Sequence, residues 1–295
     1  SDIVKILFAE NPGILVQVKE KKAFEKLMMD AGIGFAEIAK PTSERHILVS
    51  KDGIQYHFGI DYMRDVWYES SYKLDIKQSG NTCAGNRFEN YKMQPLEFKY
   101  NKNFTGKLAD YGLTFDRKGR SGIKAAVIRE KGCQCERETS YALYLAGFDV
   151  KDVHMTDLAS GRETLEDVNM IVFCGGFSNS DVLGSAKGWA AGILFNEKAK
   201  KAIDNFYARE DTLSLGICNG CQVMTELGVV YPEHEKKYKM LHNDSHKFES
   251  NFVTLEIPKN HSVMFGSLSG SKIGVWIAHG EGKYSFPYEE KDYHI

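Results

Sequence analysis

Short apolar segments alternate with segments of helical period through the C-terminal part of the chain. Four apolar segments fit this description: residues 124–129, 148–154, 170–174 and 213–217. The helical segments are residues 136–146, 188–209 and 222–227. Strands that are apolar throughout are typical of a parallel sheet covered by helices on both faces. The pattern predicts an α/β fold with a doubly wound, mostly parallel sheet, which a β-rich tail at residues 252–257 and 272–278 is expected to extend.

The 295 residues exceed the usual size of one domain, so two structural units are expected. Residues 1–78 read as a smaller α+β unit, residues 79–122 as a linker that starts polar and aperiodic, and residues 123–295 as the α/β domain. In the first unit, strands are expected at 14–18 and 45–50, helices at 21–31 and 63–75, and a hairpin through Lys51-Asp52-Gly53 to residues 54–58. The chain starts without methionine, and we expect it to be a fragment.

Composition excludes several classes of protein. The formal net charge of -2 gives no reason to expect nucleic acid as a partner. The apolar runs are too short to span a bilayer, and the N-terminus lacks a signal-peptide core, so no membrane partner and a cytoplasmic location are expected. Six cysteines are too sparse for a disulfide-stapled fold, and reduced thiols are expected.

The sharpest local signal is Gly216-Ile217-Cys218-Asn219-Gly220, placed where an apolar strand gives way to a helix. A G-x-C-x-G here has the form of a nucleophile elbow with cysteine as the nucleophile. Glycines on both sides are needed because a Cβ there would collide with neighbouring backbone. At a helix N-terminus, the thiol of Cys218 is expected to have a lowered pKa. The amide of Asn219 is a candidate oxyanion donor.

A second signal, Cys174-Gly175-Gly176-Phe177-Ser178, also ends an apolar strand. Loops at the carboxyl ends of parallel strands gather on one side of a sheet, so this loop and Cys218 are expected to share a crevice. The amides of Gly175, Gly176 and Phe177 are candidates for the second half of an oxyanion hole. Together the two loops predict acyl transfer through a thioester.

Plainer interpretations compete with each signal. Cys218-Asn219-Gly220-Cys221 also matches C-x-x-C, a redox pair or half of a zinc site, although no second C-x-x-C lies at zinc-finger spacing. The Gly-Gly pair could be an ordinary turn. Cys174 and Cys221 could be packed core thiols, and His154 a structural histidine. No metal site is predicted.

These motifs, with Asp181-Val182-Leu183-Gly184 and Ala278-His279-Gly280-Glu281-Gly282, resemble the glutaminase domains of the phosphoribosylformylglycinamidine synthase family. The resemblance covers about residues 124–287 and implies the class I glutamine amidotransferase fold, which is flavodoxin-like. The region before it is similar to the end of that family's second synthetase half. The resemblance of the motifs implies that Cys218 attacks the side-chain amide of glutamine, while amides near Phe177 and Asn219 hold the oxyanion.

The released ammonia would pass to the synthetase domains, where it amidates formylglycinamide ribonucleotide with ATP in purine biosynthesis. The sequence itself has neither a P-loop nor a dinucleotide fingerprint. We therefore expect no cofactor in this fragment, and ATP and Mg²⁺ in the synthetase domains that are absent from it. Glutamine and those domains are the expected partners.

Two departures from the family pattern stand out. Gly132-Cys133-Gln134-Cys135-Glu136 replaces an Asn-Gly pair after the first strand. In the family, the general base is a histidine in a Pro-His-Pro-Glu motif that follows His-Gly-Glu-Gly, and this sequence has no such motif before Ile295. The domain is therefore expected to be truncated. The isolated fragment is expected to show weak or no glutaminase activity.

His279 and Glu281 are expected to line the glutamine cleft, with a base-and-orienter role as the alternative. Two further hypotheses stay open for the whole chain. One is a non-catalytic docking or ammonia-delivery fragment. The other is a related cysteine-elbow protein, such as a peptidase or chaperone.

Overall fold

The computed structural model describes residues 2–93 and 96–293, so residues 294 and 295 of the predicted α/β domain lie outside the described residues. The helices, in chain order, are α1 (Ile3–Leu7), α2 (Lys21–Asp30), α3 (Ile60–Glu89), α4 (Glu136–Leu145), α5 (Met155–Ser160), α6 (Lys187–Leu194), α7 (Glu197–Tyr207) and α8 (Asn219–Leu227). The strands are β1 (His46–Lys51), β2 (Ile54–Gly59), β3 (Lys124–Arg129), β4 (Asp149–His154), β5 (Met170–Phe173), β6 (Leu213–Gly216), β7 (Lys239–Leu241), β8 (Glu249–Glu256), β9 (Lys272–His279) and β10 (Lys283–Ser285).

The chain divides into two compact units, Ser1–Ile76 and Lys77–Ile295. In the first unit, β1 and β2 form the predicted antiparallel hairpin. Its turn residues Asp52 and Gly53 have φ of 52° and 80°, the left-handed pair that a two-residue hairpin turn requires. The strand predicted at residues 14–18 is wrong: these residues are coil and their apolar side chains are exposed, because a short apolar run forms a strand only where another strand pairs with it.

Helix α3 confirms the helix predicted at residues 63–75 and continues to Glu89. The polar segment from residue 79 was therefore wrongly expected to be aperiodic throughout. Gly80, with φ 76° and ψ 167°, breaks the regular geometry within this helix. The predicted linker, residues 79–122, lies inside the second unit, and the predicted domain boundaries stay predictions.

The second unit is built on a four-stranded parallel sheet in the order β4-β3-β5-β6, which confirms the predicted α/β class. Alternate residues of β3 and β5 face opposite layers. Ala126, Ile128, Ile171 and Phe173 pack with side chains of α5–α8. Ala125, Val127, Met170 and Val172 pack with Leu143 of α4 on the other face. The sheet is thus covered on both faces, as a doubly wound fold requires.

The chain order reverses between β3 and β5, since β4 lies on one side of β3 and β5 with β6 on the other. Loops that leave the carboxyl ends of strands at such a point turn in opposite directions and open a crevice. The loops after β3, β5 and β6 carry the Cys133–Cys135 segment, the Gly-Gly pair and Cys218, respectively. The topology therefore brings three cysteine-bearing loops to one edge of the sheet.

The β-rich tail does not extend the parallel sheet, so that prediction is wrong. Among the described residues, β8 and β9 pair with each other in an antiparallel sheet, and β7 pairs with β10 in another. The physical reason is visible in the side chains: β5 is buried throughout, whereas β8 and β9 are only partly buried, and β8 carries exposed polar residues. Such strands suit a sheet with one solvated face.

Two smaller observations complete the fold. His154 is structural as predicted, since its Nδ1 accepts the amide of Thr156 (3.2 Å) at the N-terminus of α5, where Asp157 completes a capping box. Throughout residues 2–93 and 96–293, every helix is too short or too polar to cross a bilayer.

Candidate active site

Cys218 occupies the turn between β6 and α8 with φ 53° and ψ -111°. A non-glycine residue held at positive φ costs about 1–3 kcal/mol, which the surrounding packing must supply. The flanking glycines are required: a Cβ on Gly216 would lie 2.7 Å from the Cα of Cys221, and a Cβ on Gly220 would lie 1.9 Å from the carbonyl oxygen of Phe173. The local sequence thus forces a sharp elbow, and Cys218 is exposed on it.

Main-chain amides from two loops lie near the sulfur of Cys218. Those of Asn219 and Gly176 are close enough to favour its thiolate form. The other two predicted oxyanion amides have different acceptors: Phe177 donates to the carbonyl of Gly132 (2.9 Å) and Gly175 to the sulfur of Cys135 (3.0 Å). Of the predicted set, the structure therefore brings Gly176 and Asn219 to Cys218 as donors.

The side chain of Asn219 connects three of the motifs. Its Oδ1 accepts the amide of Ser178 (3.2 Å), and its Nδ2 donates to Asp181 Oδ1 (3.4 Å) and Gln222 Oε1 (2.9 Å). Gln222 in turn donates to the carbonyl of Glu281 (2.9 Å). We call residues 174–178 with residues 216–222 the sheet wall of the site.

A second wall faces the sulfur from the connections between the small antiparallel sheets. We call residues 242–248 with residues 278–282 the hairpin wall. The thiol of Cys218 donates to the carbonyl of Ala278 (3.6 Å). Asn243, which is buried, organises this wall: its Nδ2 donates to the carbonyls of His279 (2.8 Å) and Lys247 (3.0 Å), and its Oδ1 accepts the amide of Gly282 (3.1 Å).

The two predicted cleft residues of the hairpin wall have separate partners. His279 Nδ1 lies 3.0 Å from Asn243 Oδ1. Glu281 accepts the amide of Ser185 (3.1 Å) through Oε2, and its Oε1 lies 3.3 Å from His242 Nδ1. Burial alone would raise the pKa of the Glu281 carboxyl, but the hydrogen bonds from Ser185 and the nearby His242 and Lys187 hold it below its ordinary value. The described contacts therefore pair Glu281 with His242 rather than with His279.

The two walls enclose a cleft of about 230 Å³. Its lining combines the predicted residues with others from both walls: Gly176, Phe177, Asp181, Ser185, Cys218, Gln222, His242, His246, Lys247, Phe248, Ala278, His279, Gly280 and Glu281. The rings of Phe177 and Phe248 lie 6.2 Å apart at its edge. The cleft thus offers one nucleophile, two candidate oxyanion donors, two carboxyl groups and three imidazoles to a small polar ligand.

The pKa of the Cys218 thiol is raised above its ordinary value. The surrounding protein keeps water away from part of the sulfur, which disfavours the charged thiolate and raises the pKa. This desolvation outweighs the effect of the Asn219 and Gly176 amides, which favour the thiolate. The lowered pKa expected from the helix end is therefore wrong for this structure. In consequence the thiol needs a base to react at neutral pH.

Sequence reasoning missed several cleft residues. His242, His246 and Lys247, which line the cleft, and Asn243, which organises its hairpin wall, come from one polar segment before β8. The only local signal was the density of imidazole and amide side chains in that segment. Cys135 was noticed only as a departure from a family pattern. Its contact with Gly175 joins residues forty positions apart, which a local pattern does not reveal.

Comparisons with known proteins identify the family of the chain. Residues 122–294 match the family described as the CobB/CobQ-like glutamine amidotransferase domain, and the chain belongs to that family. It is 37% identical over 305 residues to a probable phosphoribosylformylglycinamidine synthase of Arabidopsis thaliana, covering 97% of this chain and 21% of that protein. For a probable phosphoribosylformylglycinamidine synthase of Caenorhabditis elegans the identity is 34% over 298 residues, covering 96% and 22%.

The chain spans about a fifth of the length of these curated relatives. Among solved structures, PurLQS from Thermotoga maritima is 30% identical with a TM-score of 0.44, and the match covers 56% of this chain and 69% of that one.

Proposed function

We propose that Cys218 is the nucleophile of a glutaminase and that the chain is the glutamine amidotransferase part of a phosphoribosylformylglycinamidine synthase. The observation that carries this proposal is the pair of amides, Gly176 and Asn219, directed at one sulfur from two different loops. Membership of a glutamine amidotransferase family and the names of the similar proteins support it. They also supply the substrate, glutamine.

In the proposed reaction, the sulfur of Cys218 attacks the side-chain amide carbon of glutamine. The carbonyl oxygen becomes an oxyanion, to which the amides of Gly176 and Asn219 donate. Collapse of the intermediate expels ammonia and leaves a glutamyl thioester, which water hydrolyses to glutamate and the free thiol. Removal of one such donor typically costs about 10²- to 10³-fold in rate, so the positions of these two amides matter greatly.

Deprotonation of Cys218 is the demanding step, because the pKa of its thiol is raised. The cleft holds an imidazole–carboxylate pair, His242 with Glu281, but the described hydrogen bonds of Cys218 reach no imidazole. We assign His279 and Glu281 to shaping the cleft. Without a base in contact with the thiol, the usual gain of about 10²- to 10⁴-fold is absent, and slow ammonia release by the chain alone is expected.

The ammonia is proposed to reach the synthetase domains of the same enzyme. There it amidates formylglycinamide ribonucleotide in a reaction that consumes ATP with Mg²⁺. We assign ATP and Mg²⁺ to the part of the relatives that this chain does not span, since the chain covers about a fifth of their length. No cofactor is assigned to the cleft itself.

A non-catalytic role in docking or ammonia delivery is the second candidate. The observation that favours it is the raised pKa of Cys218 together with the absence of an imidazole contact to its sulfur among the described residues. The two candidates differ in one property. A glutaminase thiol reacts selectively with electrophilic glutamine analogues, whereas a docking surface does not.

The test is covalent labelling with a diazoketone analogue of glutamine, followed by mass spectrometry of the intact chain and of its peptides. We expect one adduct, on Cys218, formed more slowly when glutamine is present. Cys218→Ala should abolish it, while the matched variant Cys83→Ser, which alters a thiol of α3, should leave it unchanged. A folded chain that stays unlabelled would favour the docking role and overturn the glutaminase.

The same labelling identifies the base. His242→Ala, His279→Ala and Glu281→Gln are compared by their labelling rates between pH 6 and 9. If one variant alone lowers the rate by about tenfold or more at neutral pH and loses that deficit at high pH, that residue removes the proton. Equal rates in all three support the assignment of His279 and Glu281 to cleft shape.

A further inference from the structure

Three thiols form a cluster behind the Gly-Gly loop. Cys133 and Cys135 lie in the loop that joins β3 to α4, and Cys174 follows the end of β5. The thiol of Cys174 is fully buried in a core cluster, and Cys133 and Cys135, which are half-buried, pack against that cluster. We call these three residues the thiol cluster. The labelling and hydrolysis reactions proposed above do not use it.

The thiol cluster is mechanically joined to the oxyanion donors. The amide of Gly175 donates to Cys135 Sγ (3.0 Å), and the amide of Gln134 donates to the carbonyl of Gly175 (3.1 Å). A Cβ on Gly176 would lie 2.6 Å from the Cα of Cys133. The loops are therefore in backbone contact, and a shift of the backbone at the cysteines displaces Gly175 and Gly176.

The contact with Cys174 lowers the pKa of both Cys133 and Cys135. For Cys135, which also accepts hydrogen bonds from the Gly175 amide and the Thr139 hydroxyl, the pKa falls to about 6 in spite of its burial. The thiolate, the nucleophilic form, is thereby favoured at Cys135. The same contacts raise the pKa of Cys174 far above its ordinary value, so this residue remains a protonated thiol. The pair consists of an attacking thiolate and a neighbouring thiol that can resolve it.

We propose that Cys135 and Cys174 form an oxidation site, in which a peroxide converts the two thiols to a disulfide beside the oxyanion loop. In the first step the Cys135 sulfur takes an oxygen atom from the peroxide, giving a sulfenic acid and, from hydrogen peroxide, water. Cys174 then attacks this sulfur, the new S–S bond forms and a second water leaves. The two thiols lose two electrons, and the peroxide gains them.

The disulfide changes the neighbouring loop. An S–S bond is about 2.05 Å long, much shorter than a hydrogen bond between two sulfurs, so the β3–α4 loop and the end of β5 must approach each other. The amide of Gly175 also loses its thiolate acceptor. Because Gly176 follows directly, its amide is displaced from Cys218. This consequence for reactivity rests on the proposed function, whereas formation of the disulfide does not.

The first experiment tests the bond itself. The Cys218→Ala chain, which lacks the exposed thiol of the cleft, is treated with hydrogen peroxide, its remaining thiols are blocked, and its peptides are mapped without reduction. We expect a Cys135–Cys174 linkage that dithiothreitol removes. A map that contains a Cys133–Cys174 linkage instead, or only unlinked peptides, overturns the proposal whether or not Cys218 is a glutaminase nucleophile.

The second experiment tests the consequence. The unsubstituted chain is oxidised, the peroxide is removed with catalase, and the rate of labelling of Cys218 by the glutamine analogue is measured before and after reduction. We expect at least a tenfold fall that reduction reverses, since a misplaced oxyanion donor costs about 10²- to 10³-fold. Direct oxidation of Cys218 would also slow labelling. Cys135→Ala separates the two causes because it cannot form the linkage, and its own labelling rate before oxidation is the reference, since the substitution also removes the acceptor of the Gly175 amide.

Cys174→Ala provides a second variant without the linkage, and Cys83→Ser keeps it. A fall of equal size in Cys135→Ala and in the unsubstituted chain contradicts the coupling to the Gly-Gly loop. If the reduced chain is not labelled at all, the glutaminase proposal fails, and the peptide map still decides the disulfide.

Discussion

The two walls of the cleft are held in place by different physical means. In the sheet wall, backbone packs directly on backbone: the turn on either side of Cys218 leaves no room for a methyl group at Gly216 or Gly220. In the hairpin wall, a Cβ on Gly280 would meet nothing within 4 Å, and a Cβ on Gly282 would meet the side chain of His279 (2.3 Å) rather than backbone. There the buried side chain of Asn243 ties the segments together.

The difference indicates how each wall contributes to the site. Backbone packing fixes the nucleophile and its oxyanion donors with little tolerance, as preorganised electrostatic stabilisation demands. Side-chain hydrogen bonds, each worth about 1 kcal/mol net, let the hairpin wall be altered in smaller steps. Substitutions of the same chemical kind should therefore have unequal effects in the two walls.

The largest effect is expected for alanine at Gly220. Its Cβ would lie 1.9 Å from the carbonyl oxygen of Phe173, so α8 or β5 must move. Overpacking typically costs about 1–3 kcal/mol and more where backbone cannot yield, so we expect Gly220→Ala to lower the free energy of unfolding by at least about 3 kcal/mol. Urea denaturation followed by circular dichroism measures it.

Gly280→Ala adds the same methyl group to the other wall and serves as the matched control. Since nothing lies within 4 Å of its Cβ, we expect a change below about 0.5 kcal/mol. Equal losses for the two substitutions would show that the walls do not differ in the way described.

A smaller but substantial effect is expected for Asn243→Ala. The substitution leaves the carbonyls of His279 and Lys247 and the amide of Gly282 without their partner in a partly buried place. We expect a loss of about 2 kcal/mol in the free energy of unfolding. Asn243→Asp keeps the acceptor oxygen and loses the two donated bonds, so it should also destabilise the chain; a neutral Asn243→Ala would remove this residue from its organising role.

The sheet wall was also the wall that sequence could predict. The G-x-C-x-G elbow and the apolar strands are local patterns, and their physical causes, glycine sterics and burial on both faces, act within a few residues. The single helix expected at residues 188–209 is in fact two helices, α6 and α7. The boundary had a local signal in Asn196, which caps α7 by accepting the amide of Ala199 (3.0 Å). Helix α5, only six residues long, gave too weak a periodicity.

The hairpin wall could be predicted only in part. His279 and Glu281 were expected to line the cleft, but Asn243 and His242 reach them across more than thirty positions, through strand pairings that one sequence does not specify. The same limit explains the error about the tail, because the partner of a strand depends on long-range packing. The pKa of Cys218 was wrongly predicted for a related reason, since a helix end is a local feature and desolvation is not.

The smallest effect, and the one that depends on pH, concerns Glu281. The pKa of its carboxyl is lowered in the folded state, so its charge stabilises the fold above the ordinary carboxyl pKa of about 4.3, and this contribution is lost as pH falls through the lowered folded value. We expect Glu281→Gln to reduce the free energy of unfolding by about 1 kcal/mol at pH 7, because the charged acceptor of Ser185 and His242 is lost. The difference should shrink below about pH 4.3.

Urea denaturation at a series of pH values measures this difference. The control is Glu256→Gln, at an exposed position of β8, which should change stability by less than about 0.5 kcal/mol. A difference that grows towards acid pH would mean that the Glu281 carboxylate does not stabilise the hairpin wall.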